Sequence, residues 1–319
     1  MKISIIGCGR WGSFHAWYSS KIGHTVKLYG RATSKNMQML ESTRGNEYLK
    51  LPENVQLTKN LEDAINFASV IIISVGTQNF RALLEEIKSL NINLAEKKFV
   101  LCMKGLESKT GKRLSTIFEE ILQSKNVAVW VGPGHVQDFV RRIPNCMVMT
   151  SPNEKLTREV VEIFKSPLIR FYYGADLIGI EIGAAAKNVI GIAAGMLDGF
   201  NCTSLKGALM ARGTVELSRL VESLGGDKMT VYGLSHLGDY EATLFSNHSR
   251  NRKFGEDFVQ NKKFDKLAEG TETVIALMEL SKSTGVELPI CRAVFKIIYE
   301  NADPEEQLMN LFMRSTKAE

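Results

Sequence analysis

A single lysine, Lys187, stands near the middle of a small and apolar run from Ile178 to Leu197. Gly183 and Ala184 precede it by four and three positions; Gly191 and Ala194 follow it by four and seven. On a helix these offsets share one face, so the ammonium rises from a strip with almost no side-chain bulk. Such a strip lets a ligand or another backbone approach closely and presents it with a charged proton donor. The plainer alternative is a surface helix whose lysine reaches back to water. Glu181, the second charge of the run, argues against a membrane span.

A second set of polar residues suits an anion. Ser249-Arg250-Asn251-Arg252-Lys253 combines hydroxyl, amide and guanidinium donors, which match a phosphate dianion. Taken alone, the same run also fits a solvated charged face. Asp239, in Leu237-Gly238-Asp239, is either a polar site residue or a helix cap. The apolar run Phe99–Met103 ends in Lys104-Gly105-Leu106-Glu107, and Val127–Val131 ends in Gly132-Pro133-Gly134-His135. Open α/β sheets bind ligands beyond the carboxyl ends of their strands, so both ends are candidate substrate positions.

Gly7-Cys8-Gly9-Arg10-Trp11-Gly12 follows the first apolar run, Ile3–Ile6, and opens a helical segment. In that context GxGxxG is a dinucleotide fingerprint. Gly7 permits the tight turn, Gly9 lets a pyrophosphate reach the backbone, and Gly12 lets helix and strand pack closely. The diphosphate then meets free N–H groups at the helix start. Sites selective for NAD usually place an acidic residue about twenty positions on. Here the second run ends Tyr29-Gly30-Arg31, with Lys35 beyond. An arginine accommodates a 2′-phosphate, which predicts NADPH as the cofactor, with NADH as an alternative.

These residues need a frame. Short β-rich runs recur at 3–6, 26–29, 70–75, 99–103, 127–131, 146–150 and 169–173, with helix-like segments such as 79–89 and 112–123 between them. This alternation predicts a doubly wound, Rossmann-type, mostly parallel sheet. After Gly174 the pattern turns helical: a long helix capped by Asp176 and running through Leu197, then 204–224, 271–281, and a Pro289-initiated helix to Tyr299. The expected fold is therefore α/β with a C-terminal all-helical domain. Residues 1–174 form the dinucleotide-binding domain and 175–319 the substrate-binding domain. The 319 residues suffice for two cores. A net charge of +5 favours anionic ligands mildly but is too diffuse to indicate nucleic acid. The five cysteines are scattered without a CxxC pair, which predicts reduced thiols in the cytoplasm and no bound metal. No signal peptide precedes the first strand pattern. Apolar faces on the helical half lead us to expect a homodimer.

Together these segments resemble NAD(P)-dependent glycerol-3-phosphate dehydrogenase of the bacterial type over nearly the whole chain. The resemblance rests on GxGxxG with Trp11, Lys-Gly-Leu-Glu at 104–107, Gly-Pro at 132–133, and Lys-Asn-Val-Ile-Gly-Ile-Ala-Ala-Gly at 187–195 with Asp198-Gly199. Ala211-Arg212-Gly213, Gly238-Asp239, and Ser249-Arg250-Asn251-Arg252 with Phe254-Gly255 add to it. It implies interconversion of dihydroxyacetone phosphate and sn-glycerol 3-phosphate, feeding glycerophospholipid synthesis. It implies Lys187 as proton donor/acceptor, with Lys104 and Asp239 beside it in catalysis. Lys104, Gly132, Gly134, Lys187, Asp239, Ser249, Arg250 and Asn251 would meet substrate. Gly7, Gly9, Arg10, Trp11, Gly12, Arg31, Lys104, Val136, Arg250 and Glu269 would meet the nucleotide. Three departures stand out: Arg10 where serine or alanine is usual, Gly134 in place of a hydroxyl residue, and a loop between Asp198 and Lys206 about one residue short.

Under this reading, burial and Lys104 lower the pKa of Lys187 while Asp239 opposes the shift. A related dehydrogenase acting on a hydroxy acid or ketopantoate is the nearest rival, since an arginine fork also suits carboxylates. A non-catalytic protein that senses NADPH is a rival from another class; the full set of donors around Lys187 disfavours it.

Overall fold

A computed structural model describes residues 1–315. They form two compact units: Met1–Met103 with Leu114–Leu177, and Lys104–Arg113 with 178–315. The division after Leu177 lies three residues beyond the expected boundary. The short segment 104–113, expected in the first domain, belongs to the second unit, which no single linear boundary can express.

The first unit is built on eight strands: β1 (Lys2–Ile6), β2 (Thr25–Tyr29), β3 (Gln56–Thr58), β4 (Val70–Ile73), β5 (Lys98–Leu101), β6 (Val127–Val131), β7 (Asn145–Thr150) and β8 (Ile169–Gly174). Their order in the sheet is β3-β2-β1-β4-β5-β6-β7-β8. The first six follow the dinucleotide-binding order of a doubly wound sheet. Every pairing is parallel except β6 with β7. Val70-Ile71-Ile72-Ile73 is buried on both faces, as a continuous apolar run in a central parallel strand must be. Helices α1 (Arg10–Lys21), α2 (Lys35–Thr43), α3 (Leu61–Phe67), α4 (Phe80–Ser89), α5 (Leu114–Leu122), α6 (Val136–Val140) and α7 (Glu154–Phe164) lie between the strands in the chain. Asn60 and Asn153 cap α3 and α7 by accepting main-chain N–H bonds.

The second unit is helical throughout its described elements: α8 (Leu177–Gly199), α9 (Lys206–Ser223), α10 (Arg250–Val259), α11 (Glu269–Thr284), α12 (Pro289–Tyr299) and α13 (Pro304–Phe312), with short 3₁₀ turns and one π turn at Glu241–Phe245. Pro289 begins α12 at the first helical position, where its missing N–H costs nothing. α8 is long and apolar enough to cross a membrane, yet 89% of its apolar window is buried inside the fold. A helix apolar on all sides belongs in a core. Its second charge, Glu181, is buried and accepts a bond from Arg113 at 2.8 Å.

The small-residue face of α8 is covered by other parts of the protein. A Cβ on Gly195 would stand 1.8 Å from the Arg252 carbonyl oxygen, and one on Gly191 would stand 2.7 Å from Thr243 Cγ2. In return, a Cβ on Gly255 would meet the Ile192 carbonyl oxygen at 2.0 Å. α10 and the π turn therefore lie directly against α8, held there by the absence of side chains. At these positions the glycines admit protein rather than a ligand: the Arg252 backbone at Gly195 and the Thr243 side chain at Gly191.

Candidate functional site

The second unit gathers a group of charges around Lys187. Asp239, in the 3₁₀ turn Leu237–Asp239, is 1% exposed. Its Oδ2 lies 2.9 Å from Lys187 Nζ and 2.7 Å from Lys104 Nζ. Lys187 also donates to Thr243 Oγ1 at 2.6 Å. Burial pushes the Lys187 ammonium down to about 8; Asp239 and Glu269 oppose the shift and Lys104 adds to it. Such an amine is mostly protonated near neutrality yet gives up its proton far more readily than a surface lysine.

Neighbouring bonds hold this group in place. Asn188, one residue beyond Lys187, donates to the Lys104 carbonyl oxygen at 2.9 Å and accepts from Asn251 Nδ2 at 2.9 Å. Asn251 Oδ1 accepts from the main-chain N–H of Gly270 at 2.9 Å. His236 lies at 2.9 Å from the Gly183 carbonyl oxygen through Nδ1 and at 2.7 Å from the Tyr240 hydroxyl through Nε2. A carbonyl only accepts, so Nδ1 carries the proton and Tyr240 donates to Nε2. Burial lowers the His236 pKa to about 4, which keeps the ring neutral and this arrangement fixed. Asp239 follows on the same turn, its N–H bonded to the His236 carbonyl oxygen at 3.0 Å.

Lys104, Lys187 and Asp239 are thus in direct contact, and Asn251 is joined to them through Asn188. Its amide is more committed than a pure ligand-binding role implies: both ends already brace α8 and α11. Ser249 caps α10 by accepting from the N–H of Arg252 at 3.3 Å, a bond that leaves its hydroxyl hydrogen unused. Arg250 is the first residue of α10 and Glu269 the first of α11. Thr243 was not anticipated. It lies in a π turn, a form often found at functional sites. A lone threonine in Glu-Ala-Thr-Leu-Phe offers no periodic signal.

The remaining predicted residues belong to the first unit. Gly7 has φ +112°, which a side chain rarely adopts. A Cβ on Gly12 would stand 1.7 Å from the Gly7 carbonyl oxygen, so only glycine fits there. A Cβ on Gly9 would meet nothing within 4 Å. Space is therefore kept at the one glycine that a pyrophosphate has to approach, and these residues fit a dinucleotide. Gly9 also occupies the N-cap of α1 without a side-chain cap. At Gly30 a Cβ would meet Cys8 Sγ at 2.4 Å, which explains why no acidic side chain stands at the end of β2. Arg31, exposed, follows it.

Arg10 bonds Gln137 Oε1 at 2.8 Å and lies over the Tyr48 ring at 5.0 Å, tying the start of α1 to two other segments of its unit. Trp11 packs edge-on against Phe14 at 5.4 Å. Gly132 and Gly134 have φ of +138° and +130°. At 134 a Cβ would also stand 2.7 Å from the Phe139 ring, so the hydroxyl residue that the resemblance led us to expect has no room here. The Val136 side chain is fully buried in the core of the first unit, so a nucleotide would meet its main chain.

Two family models match the chain. The N-terminal model of NAD-dependent glycerol-3-phosphate dehydrogenase covers residues 2–157, and the C-terminal model covers 176–309. The chain belongs to the NAD-dependent glycerol-3-phosphate dehydrogenase family. It is 33% identical to "Glycerol-3-phosphate dehydrogenase [NAD(P)+]" of Chlorobium limicola over 100% of this chain and 99% of the relative. It is 34% identical to the protein of the same name from Clostridium botulinum, with the same coverage. Among solved structures, glycerol-3-phosphate dehydrogenase from Coxiella burnetii superposes with a TM-score of 0.90 at 27% identity, over 98% of this chain and 99% of that one. The glycine cradle follows β1 in the first unit, and the ammonium–carboxylate group stands on α8 and the 237–239 turn of the second.

Proposed function

We propose that this chain interconverts dihydroxyacetone phosphate and sn-glycerol 3-phosphate with NAD(P)H, using Lys187 as the proton donor and acceptor. The observation that carries the reading is a buried ammonium bonded to Asp239 and Thr243, with its pKa brought down to about 8.

Gly7, Gly9, Arg10, Trp11, Gly12 and Arg31 are the residues we assign to the dinucleotide. Bound NAD(P)H supplies the hydride. Lys187 stabilises negative charge growing on the carbonyl oxygen and gives it a proton; in the reverse direction it takes the proton back. Proton transfer by a positioned group is worth ~10²–10⁴ in rate. Asp239 aligns Lys187 and balances one of the two ammonium charges. Arg250, with the Ser249 hydroxyl, anchors the substrate phosphate and so turns remote binding into alignment at the carbonyl. Gly30 followed by Arg31 supports a preference for NADPH over NADH.

Following NADPH absorbance with dihydroxyacetone phosphate tests the reaction. Oxidation should require the phosphate ester, and Lys187→Ala should remove turnover while NADPH affinity stays within about twofold. Turnover of a keto acid in place of the phosphate ester, or substantial activity in Lys187→Ala, overturns the assignment. The product would feed glycerophospholipid synthesis. The five free thiols suit a reducing cytoplasm. A homodimer is part of the same proposal, and light scattering on the purified chain decides it.

A further inference from the structure

Eleven residues beyond Lys187 on α8, a second buried charge group lies outside the site described above. Asp198 Oδ2 accepts from Lys206 Nζ at 2.5 Å and from Arg252 Nε at 2.6 Å, and its Oδ1 accepts from Thr203 Oγ1 at 2.8 Å. The Lys206 side chain is 3% exposed. An ammonium buried that deeply persists only with a partner at close range, and Asp198 is that partner. Lys206 makes one further bond, to the Leu244 carbonyl oxygen at 2.8 Å. Its Nζ also sits 5.1 Å from the centre of the Phe245 ring.

Leu244 and Phe245 close the π turn Glu241–Phe245. Carbonyls at the end of a helical turn have no partner within it, so an outside donor fixes where that turn stops. Thr243 immediately precedes Leu244, and its hydroxyl meets Lys187 at 2.6 Å. On its other side Thr243 Cγ2 lies close over Gly191, leaving little bulk to hold it there.

We propose that Lys206 is a positioning residue for the reaction: anchored by Asp198, it fixes the Leu244 carbonyl and through it the Thr243 hydroxyl that receives a hydrogen bond from Lys187. The inference rests on the activity proposed above. It assigns a role to the loop between Asp198 and Lys206, whose Thr203 completes the anchor.

The direction of the pH effect separates this role from plain electrostatics. The charged groups acting on Lys187 are Asp239, Lys104 and Glu269, and Lys206 is not among them. An α-helix rises 1.5 Å per residue, so the Asp198 backbone sits about 16 Å along α8 from that of Lys187, while the Lys206 ammonium reaches back toward the site through Leu244 and Thr243. Deleting a neighbouring cation could only raise the Lys187 pKa. Displacing Thr243 instead removes an acceptor from the ammonium and lowers the pKa.

The test uses the full chain in dihydroxyacetone phosphate reduction across pH 6–10. Lys206→Met keeps most of the side-chain volume and leaves Asp198 bonded to Arg252 and Thr203. We expect kcat to fall about tenfold or more, with the NADPH Kd within about twofold. The alkaline limb should move down by about half to one pH unit. Lys206→Arg, which retains charge and donors, should restore the limb toward that of the unaltered chain. Should the methionine variant not fold, Lys206→Gln replaces it, with a downward shift again expected. A limb that stays in place or moves up in the folded variant overturns the proposal. If the unaltered chain does not oxidise NADPH with dihydroxyacetone phosphate, the proposed activity falls first.

Discussion

Replacing Asp239 with asparagine keeps the shape of the side chain and removes the negative charge that faces two ammonium groups. Asp239 lies 2.9 Å from Lys187 Nζ and 2.7 Å from Lys104 Nζ, at 1% exposure. At an effective dielectric of ~20, opposite unit charges 2.9 Å apart attract by about 6 kcal/mol, equivalent to about four pH units and an upper limit. Close charge partners more usually shift a pKa by about one to three units. Lys104, no longer neutralised, adds to the fall, while Glu269 still opposes it. The Lys187 pKa should therefore drop from about 8 to a value between about 5 and 7. At pH 7.5, a pKa of about 8 leaves roughly three quarters of the amine protonated; at about 6 only a few per cent remains. Asp239→Asn should thus lose about twentyfold in kcat for ketone reduction at pH 7.5 and recover much of it near pH 5.5. The assay is kcat against pH, read from NADPH absorbance at saturating substrate. An alkaline limb that stays near pH 8 while kcat falls equally at every pH would refute this account of Asp239.

Four further variants test the first unit. Gly9→Ala should fold normally, since its methyl group meets nothing within 4 Å, yet bind NADPH at least tenfold more weakly. Gly12→Ala, forced to 1.7 Å from the Gly7 carbonyl oxygen, should lose both thermal stability and cofactor binding. Equal melting temperatures for the two variants would contradict the cradle. Arg31→Ala should raise the KM for NADPH and leave that for NADH nearly unchanged; a parallel change in both removes Arg31 from 2′-phosphate recognition. His15 is buried with neither ring nitrogen bonded, and burial holds its pKa down at about 3. Its folded pKa lies below the unfolded value of about 6.5, so its contribution is complete above that pH and declines as pH falls toward 3. Unfolding free energy should drop by about 1 kcal/mol per pH unit in that window through this residue, and His15→Leu should flatten the slope. An unchanged slope in denaturant titrations would show that other groups set it.

The frame was legible where burial is uniform. Continuous runs such as Val70–Ile73 and Val127–Val131, short and spaced by helix-like segments, are read as buried strands, and the change to helical spacing after Gly174 marks where the sheet ends. β3 escaped because it is three residues long, with no fully buried side chain. At the site, Lys187 stood out as a charge in a small, apolar run, whereas Lys104 and Asp239 were joined to it only by the family resemblance; the structure brings the three together. Thr243 and Lys206 were not legible, because their roles come from contacts across 56 and 38 residues of chain that no local pattern encodes. The small-residue strip around Lys187 is visible in the sequence, but what covers it depends on where the His236, Thr243 and Asn251 segments run. Gly134 looked like a lost donor in the sequence; its positive φ and the Phe139 ring show that a side chain has no place there.

The excursion at 104–113 has a practical consequence. Leu106 is fully buried in the core of the second unit, and a Cβ on Gly111 would stand 2.9 Å from Leu280. The polypeptide therefore passes from one unit to the other three times, at 103/104, 113/114 and 177/178. A single cut at 177/178 strands the ten residues 104–113 on the N-terminal fragment and opens a hole beneath α11, and a cut at either earlier crossing splits the first unit instead. Chimaeras with a relative will exchange cofactor preference cleanly only if this decapeptide travels with the C-terminal half.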